Sequence, residues 1–151
     1  MKTMILLNHL GFGEENYEIL SDVNKIASDT IEEVSVAVND VSTKVIEVNT
    51  AVTNIAEISC FQNGVLIATN LVNAAQILTA HTSSAKLLYL WDLDWMHALF
   101  DYEWMYNVLT NDKLKIIVRS ESHRDAVLNL CNKEPIGVIQ DFSLEKIWNL
   151  L

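Results

Sequence analysis

Two aspartates, Asp92 and Asp94, stand one residue apart in the segment YLWDLDW, directly after a run of apolar residues. Two carboxylates so spaced can hold Mg²⁺ or Mn²⁺. They can also form a polar and aromatic shelf for a sugar or nucleotide, together with Trp91 and Trp95. In the structural alternative, Asp94 caps the next helix and the tryptophans belong to the core. We reject a nucleophile with an acid/base partner, because the pair follows a late strand and precedes the bulky Trp95 and Met96.

A second polar group, RSESH, follows another apolar run and opens a predicted helix. Ser120 or the next serine is expected to cap that helix, with Glu121 in its first turn. Capping explains neither Arg119 nor His123. We expect Arg119 to pair with one of the two aspartates across neighbouring strands, and binding of an anionic ligand is the alternative.

The segment HLGFGEEN combines a histidine with two glycines between a strand and a helix. Gly11 and Gly13 begin like a dinucleotide-binding turn, but Glu14 and Glu15 stand where a pyrophosphate would lie and would repel it. A tight turn is therefore favoured over NAD binding. His9 is placed where a general base could act, although a lone histidine is more often structural. The histidines show no metal-ligand spacing, so we predict neither a metal nor a cofactor.

Strands and helices alternate along the chain, and the strands are continuous apolar runs. This pattern is typical of a parallel sheet covered on both faces. We predict a single α/β domain over residues 1–151, a three-layer Rossmann-like fold with a mainly parallel sheet. The predicted strands are 4–8, 34–38, 44–48, 65–69, 86–91, 114–118 and 136–139. The first predicted helix begins at Glu14, and the other predicted helices are 52–61, 71–80, 96–109, 121–131 and 143–151.

Ligands of such sheets bind beyond the carboxyl ends of the strands, near a switch in strand order. We therefore predict that the working surface is this carboxyl edge. Its candidate catalytic residues are His9 and Asp92, and its candidate binding residues are Gly11, Gly13, Asn70, Asp94, Trp95, Arg119, Ser120, Glu121 and His123.

Composition limits the possible partners. Half of the residues are hydrophobic, and 20 acidic residues against 10 basic ones give a net charge of −10. Such a surface repels a phosphate backbone, so direct nucleic-acid binding is not expected. No apolar run reaches the roughly 18 residues of a membrane span. Cys60 and Cys131 are isolated, as in proteins of a reducing compartment, and we predict a cytoplasmic protein that does not bind membranes.

The order of the strand ends resembles a known family. GVLIATN leads into LVNAAQIL, and then come AKLLYLWDLDW, LKIIVRSESHRDAVLN and IGVIQDFSLEKIW. This series is similar to the N-terminal Rossmann-like half of GT-B-fold glycosyltransferases, over nearly the whole chain. There, a strand reading I-A-T precedes a helix of small residues, and later strands end in a polar aromatic turn and an R-S-E-like turn. The compact chain also resembles a phage protein.

The resemblance implies the acceptor-side half of an enzyme that transfers a glycosyl group from a sugar nucleotide. His9 or Asp92 would act as the base near an acceptor hydroxyl. That family binds the donor mainly through a second domain, so a separate donor-binding chain is expected here. The alternative is a non-catalytic interaction domain, regulatory or structural, that keeps the fold without the activity.

The segment LDWMHALFDYEWMYNVL (93–109) is unusually rich in aromatic residues for one helix. Leu99, Tyr102, Tyr106 and Leu109 form a stripe wide enough to cover a sheet. Other aromatic and Met side chains extend beyond this stripe, and these residue types are enriched at protein interfaces. We therefore predict a homo-oligomer or a partner chain bound through the 95–109 helix. The alternative is that the final helix folds over it.

Overall fold

A computed structural model describes residues 1–29, 33–44, 46–97, 99 and 101–151 of the protein. The described residues form one sheet of parallel strands and helices on both of its faces. The strands are β1 (Thr3–Leu10), β2 (Val34–Lys44), β3 (Ala51–Asn54), β4 (Val65–Ala68), β5 (Ala85–Leu90), β6 (Leu114–Val118) and β7 (Gly137–Val138). The helices are α1 (Glu14–Asp29), α2 (Leu71–Thr79), α3 (Asp94–His97), α4 (Tyr102–Thr110), α5 (Glu121–Cys131) and α6 (Leu144–Trp148), with a 3₁₀ helix at Ile55–Cys60.

The strand order is β3-β2-β1-β4-β5-β6-β7, and every neighbouring pair is parallel. This confirms the predicted three-layer Rossmann-like α/β fold. The segments Ile5–Leu7, Val65–Ala68, Leu87–Leu90 and Ile116–Val118, which belong to predicted strands, all lie in the sheet, and none of their residues is more than 5% exposed. Continuous apolar runs are needed because successive side chains point to opposite faces and both faces are covered.

Two apolar clusters separate the layers. On one face, β-strand side chains such as Leu6 and Leu88 pack with residues of α2, α4 and α5. On the other face, side chains such as Ile5 and Leu87 pack with α1 and α6. The final helix therefore covers the face opposite α4, and the alternative that it folds over the aromatic segment is wrong.

The region after β2 differs from the prediction of a strand over residues 44–48. β2 ends at Lys44, residue 45 lies outside the described part of the chain, and residues 46–48 form no strand. The third strand is Ala51–Asn54, which pairs with β2 from Ser35 to Val38. Lys44 is still paired with Leu10 at the end of β1, and the Ile46 amide donates to the Leu10 carbonyl at 3.2 Å.

The predicted helix over residues 52–61 is also wrong. Its first part is β3, because the β-branched Val52 and Thr53 suit an extended strand beside β2. Asn54 then ends the strand, and its side chain accepts a hydrogen bond from the Ala56 amide to start the 3₁₀ helix. The single 3₁₀ segment buries only Ile55 and Ile58.

The predicted helix over residues 96–109 is divided into α3 and α4, and residues 98 and 100 lie outside the described part of the chain. Asp101 causes the second start, since its side chain accepts a hydrogen bond from the Trp104 amide at 2.8 Å. Asp is a strong N-cap residue and favours a new helix over continuation. Across the described residues, no helix combines the length and apolar character that a membrane span requires.

Candidate functional site

A cleft opens at the carboxyl ends of β1 and β4, where the strand order changes direction: β2 and β3 are added on one side of β1, and β4 to β7 on the other. β1 pairs with β2 on one side and with β4 on the other, so the loops after β1 and β4 diverge to opposite faces. This is the switch point at which doubly wound sheets bind ligands. The cleft has a volume of about 360 Å³, within the range of small-molecule sites. We call it the switch-point cleft. It is lined by Asn8, His9, Phe12, Gly13, Glu14, Glu15, Asn16, Asn70 and Trp91.

His9 is held in one orientation by the turn that follows β1. Its Nδ1 accepts a hydrogen bond from the Gly11 amide at 3.0 Å and lies 3.2 Å from Nδ2 of Asn16. Asn16 Nδ2 also donates to the Gly11 carbonyl at 3.1 Å. Because a backbone N–H can only donate, the neutral imidazole carries its proton on Nε2. His9 is thereby prepared to donate a hydrogen bond through Nε2 rather than to take a proton there.

The two glycines of this turn have different roles. A Cβ on Gly11 would come within 2.9 Å of His9 Nδ1, so the absence of a side chain allows the histidine to fold back onto the turn. A Cβ on Gly13 would meet nothing within 4 Å, and neither glycine has a positive φ. Gly13 lines the cleft, but neither its backbone conformation nor the space around it requires a glycine. These properties differ from those of a dinucleotide-binding turn, where each glycine has a steric role.

Asn70 and Asp94 occupy the N-terminus of α2 at the opposite wall of the cleft. Asn70 caps the helix by accepting a hydrogen bond from the Asn73 amide at 2.9 Å, and its Nδ2 lies 3.3 Å from Oδ1 of Asn8. Asp94 Oδ2 accepts a hydrogen bond from the Leu71 amide at 2.8 Å. The positive end of α2 therefore already carries a carboxylate from the chain itself.

Burial raises the pKa of the Asp94 carboxyl, against the lowering effect of the Leu71 amide. The neighbouring Asp92 raises it further, and His97 lowers it. Capping of the helix that follows was the structural alternative for Asp94. Asp94 does begin α3, but its hydrogen bond goes to α2, so it links two helices at the edge of the sheet.

Glu15 gives the cleft a carboxyl group with unusual properties. Burial raises its pKa, while a hydrogen bond with the Thr69 side chain lowers it. Asp94 also raises the pKa and Arg119 lowers it, which places Glu15 in the field of both groups. A carboxylate with a raised pKa is a stronger base than an exposed one.

Asp92 faces away from Asp94. Its Oδ2 lies 3.1 Å from Nε2 of His97 and its Oδ1 4.0 Å from Nε2 of His123, while the Leu93 amide donates to Oδ1 at 2.7 Å. The D-x-D pair thus diverges, one carboxylate toward two histidines and the other toward α2. Among the described residues, no three His, Cys, Asp or Glu side chains are grouped so that they could hold a metal ion.

Arg119 follows β6 and lies over the ring of Trp91 with 3.8 Å from Cζ to the ring centroid. Its Nε donates to the Gln140 carbonyl at 3.0 Å. The expected ion pair with Asp92 or Asp94 is not among the salt bridges of the described residues. The stacked position is favoured because a guanidinium is weakly hydrated and an aromatic face attracts it.

The remaining predicted residues lie beside a second cleft of about 730 Å³ beyond β6, which Arg119 also lines. Ser120 is confirmed as the N-cap of α5, since its Oγ accepts a hydrogen bond from the His123 amide at 3.2 Å. Glu121 forms a salt bridge of 3.3 Å with Arg124. Trp95 is not on this edge as a free shelf, because it packs against the core with α2 and α4. Of the predicted residues, His9, Gly13 and Asn70 line the switch-point cleft, and Arg119, Ser120, Glu121 and His123 line the second cleft. Gly11, Asp92, Asp94 and Trp95 line neither of them.

Four exposed side chains form a further apolar surface next to the carboxyl edge. Leu99 is fully exposed, and Met96, Tyr102 and Tyr106 are 68%, 60% and 38% exposed. The rings of Tyr102 and Tyr106 stack with their centroids 6.0 Å apart. We call these four residues the α4 patch. The predicted stripe was wrong in phase, since Met105, Val108 and Leu109 are the buried residues of α4.

Sequence reasoning placed Asn8 and Thr69 at the ends of strands without choosing them as site residues, missed Asn16, and considered Glu15 only as an obstacle to a pyrophosphate. The usable signal was their position at strand ends and in the first turn of α1. Scans against protein-family models, curated proteins and solved structures give no match for this chain, so its function has to be argued from these side chains.

Proposed function

We propose that the switch-point cleft binds a neutral, hydroxyl-rich ligand, and that the protein acts on the acceptor side of a glycosyl transfer. The observation that carries this proposal is the lining of the cleft. Asn8 and Asn70 supply amide donors and acceptors, Asn16 supplies an amide oxygen, Glu15 supplies a carboxylate, and Trp91 supplies an aromatic edge. Sugar hydroxyls both donate and accept hydrogen bonds, and a site built from such groups selects ligands that do the same.

The charges of the cleft argue against a phosphate ligand. Glu14 and Glu15 lie in the first turn of α1, and Asp94 occupies the N-terminus of α2. A helix N-terminus attracts anions only while it is free of carboxylates. In this proposal the diphosphate of a sugar-nucleotide donor is therefore held elsewhere, by another domain or another chain.

Glu15 is the base in this proposal. Its raised pKa suits proton removal from an acceptor hydroxyl as that oxygen bonds to the anomeric carbon of the donor. The departing nucleoside diphosphate takes the electron pair of the broken bond. His9 and Asp92 remain predicted contributors: His9 can donate to a ligand oxygen through Nε2, and Asp92 can orient His97 and His123.

Isothermal titration tests the proposal. The panel contains neutral mono- and disaccharides, sugar nucleotides, and the same nucleotides with Mn²⁺. We expect saturable binding of at least one neutral sugar, weakened about tenfold or more by Asn70→Ala and by Glu15→Gln, since each removes a hydrogen bond from a buried ligand. Glu57→Gln is the matched control, because Glu57 is exposed on the 3₁₀ helix.

Two outcomes would contradict the proposal. One is tight binding of sugar nucleotides without any neutral sugar, which would show that the cleft accepts a diphosphate. The other is a Mn²⁺-dependent affinity that is lost in Asp92→Asn and Asp94→Asn, which would favour the metal-dependent class of transferase.

The α4 patch favours a second candidate function, a protein-interaction domain. Exposed Leu, Met and Tyr side chains next to one another are typical of a contact surface. Sedimentation at micromolar concentration tests it: the patch predicts an oligomer that Tyr102→Ser converts to monomer. A monomer at all concentrations, unchanged by Tyr102→Ser, would remove self-association and leave only a different partner.

A further inference from the structure

A pocket of about 670 Å³ lies at the amino ends of β5 and β6, on the edge opposite the switch-point cleft. We call it the amino-edge pocket. None of the described residues that line it is acidic, although the chain has 20 acidic residues and 10 basic ones. The polar side chains in the lining are Thr79, His81, Thr82, Ser84, Lys86 and Lys113.

Lys86 belongs to the fold as well as to the pocket. The residue is only 8% exposed. Its Nζ donates to the carbonyls of Leu78 and Ala80 at 3.2 and 3.0 Å, at the C-terminal end of α2. An ammonium group has three donors, so these carbonyls use two of them and leave one for a ligand.

Lys113 precedes β6 and places a second ammonium group near the first. Burial lowers the pKa of Lys86, and the charge of Lys113 lowers it further. Neither lysine forms a salt bridge with another described residue. The C-terminus of α2 contributes roughly half a negative charge, which is small against two full positive charges.

The hydroxyl groups of the lining do not neutralise this charge. Thr82 Oγ1 and Ser84 Oγ both donate to the Phe61 carbonyl, and Thr79 Oγ1 donates to the Gln76 carbonyl. Their protons are committed to the backbone. The free donors are therefore the third proton of Lys86, the ammonium of Lys113 and the imidazole of His81.

We propose that the amino-edge pocket is a binding site for a phosphate-type dianion, held by Lys86, Lys113 and His81. A dianion would balance the two ammonium charges and accept their free protons in short, charge-assisted hydrogen bonds. The site is independent of the sugar proposal, because it lies at the opposite edge of the sheet and has the opposite charge.

Titration calorimetry with inorganic phosphate and with methyl phosphate, at constant ionic strength, tests this site. We expect saturable binding that Lys113→Gln weakens about tenfold or more, since a charged hydrogen bond is lost. Lys115→Gln is the control: it changes the net charge equally, but Lys115 is an exposed residue of β6 outside the pocket. Its affinity should stay within about twofold of the parent, because exposed charges outside a site contribute little.

Lys86→Met is the second variant, and it should also lose binding if it folds. Tighter binding of methyl phosphate would assign the pocket to a phosphorylated ligand, and tighter binding of inorganic phosphate to the free ion; both support the proposal. It is overturned if neither anion binds saturably, if Lys115→Gln weakens binding as much as Lys113→Gln, or if chloride competes equally well.

Discussion

Substitutions of Asp94 can show whether its hydrogen bond to the N-terminus of α2 or its negative charge stabilises the protein. Asp94→Ala removes the 2.8 Å bond to the Leu71 amide, whereas in Asp94→Asn an uncharged oxygen can still accept it. Leaving a partly buried N–H without a partner costs about 1–2 kcal/mol. We therefore expect Asp94→Ala to lower the free energy of unfolding by that amount at pH 7, and Asp94→Asn to change it by less than about 0.5 kcal/mol.

The pH dependence provides the second half of this prediction. The pKa of Asp94 is raised above its usual 3.8 mainly by burial. A carboxyl with a raised folded-state pKa binds more protons in the folded state. The protein therefore loses stability as the pH rises from about 3.8 through the folded-state value. Asp94→Asn has no such loss, so its stability relative to the parent should increase across that interval and be constant above it.

Urea unfolding followed by tryptophan fluorescence, between pH 4 and 8, measures both effects. With a urea m-value of about 1–3 kcal/mol/M, a loss of about 1 kcal/mol lowers the urea midpoint by roughly 0.3–1 M. Asp125→Ala serves as control, because Asp125 is an exposed residue of α5. Equal losses in Asp94→Ala and Asp94→Asn would show that the negative charge stabilises α2, and would refute the argument from burial.

Two further contrasts are expected. Gly11→Ala should lower the free energy of unfolding by about 1–2 kcal/mol, because the new Cβ displaces His9 from its hydrogen bond. Gly13→Ala should cost less than about 0.5 kcal/mol, because its Cβ has open space and its φ is not positive, and only the weaker preference for alanine at the start of α1 opposes it; similar losses in both would contradict the structure of the turn. Leu109→Ala should cost about 2–5 kcal/mol as a fully buried core residue. Leu99→Ala should cost less than about 0.5 kcal/mol, and chemical denaturation compares the two.

The central strands of the sheet could be predicted because each is a continuous run of apolar residues. Val65–Ala68 and Ile116–Val118 are short and apolar at every position, as expected of strands buried on both faces. The edge strand β3 was harder to predict. β3 is short and half exposed, so Ala51–Asn54 lacks an apolar run and its pairing with β2 depends on contacts far along the sequence.

The site was predictable in location but not in its contacts. The rule that ligands bind at the carboxyl edge selected His9 and Asn70, which line the cleft, and Asp94, which bonds to the N-terminus of α2 beside it. It could not indicate that Arg119 would stack on Trp91 instead of pairing with an aspartate, since that choice depends on the three-dimensional distances between neighbouring strand ends. The prediction of which face of α4 is buried was wrong because Asp101 starts a new helix, so the apolar residues do not continue the stripe predicted for one helix over 96–109.

The central claim is that the switch-point cleft binds a neutral sugar through its amide side chains. Two-dimensional ¹H–¹⁵N NMR during titration with the tightest neutral saccharide tests this most directly, because side-chain amide and indole signals are observed individually. We predict saturable shifts of the Asn8, Asn16 and Asn70 side-chain amides and of the Trp91 indole, all with one Kd. Shifts confined to the α4 patch, or unchanged cleft signals at saturating sugar, would contradict the claim.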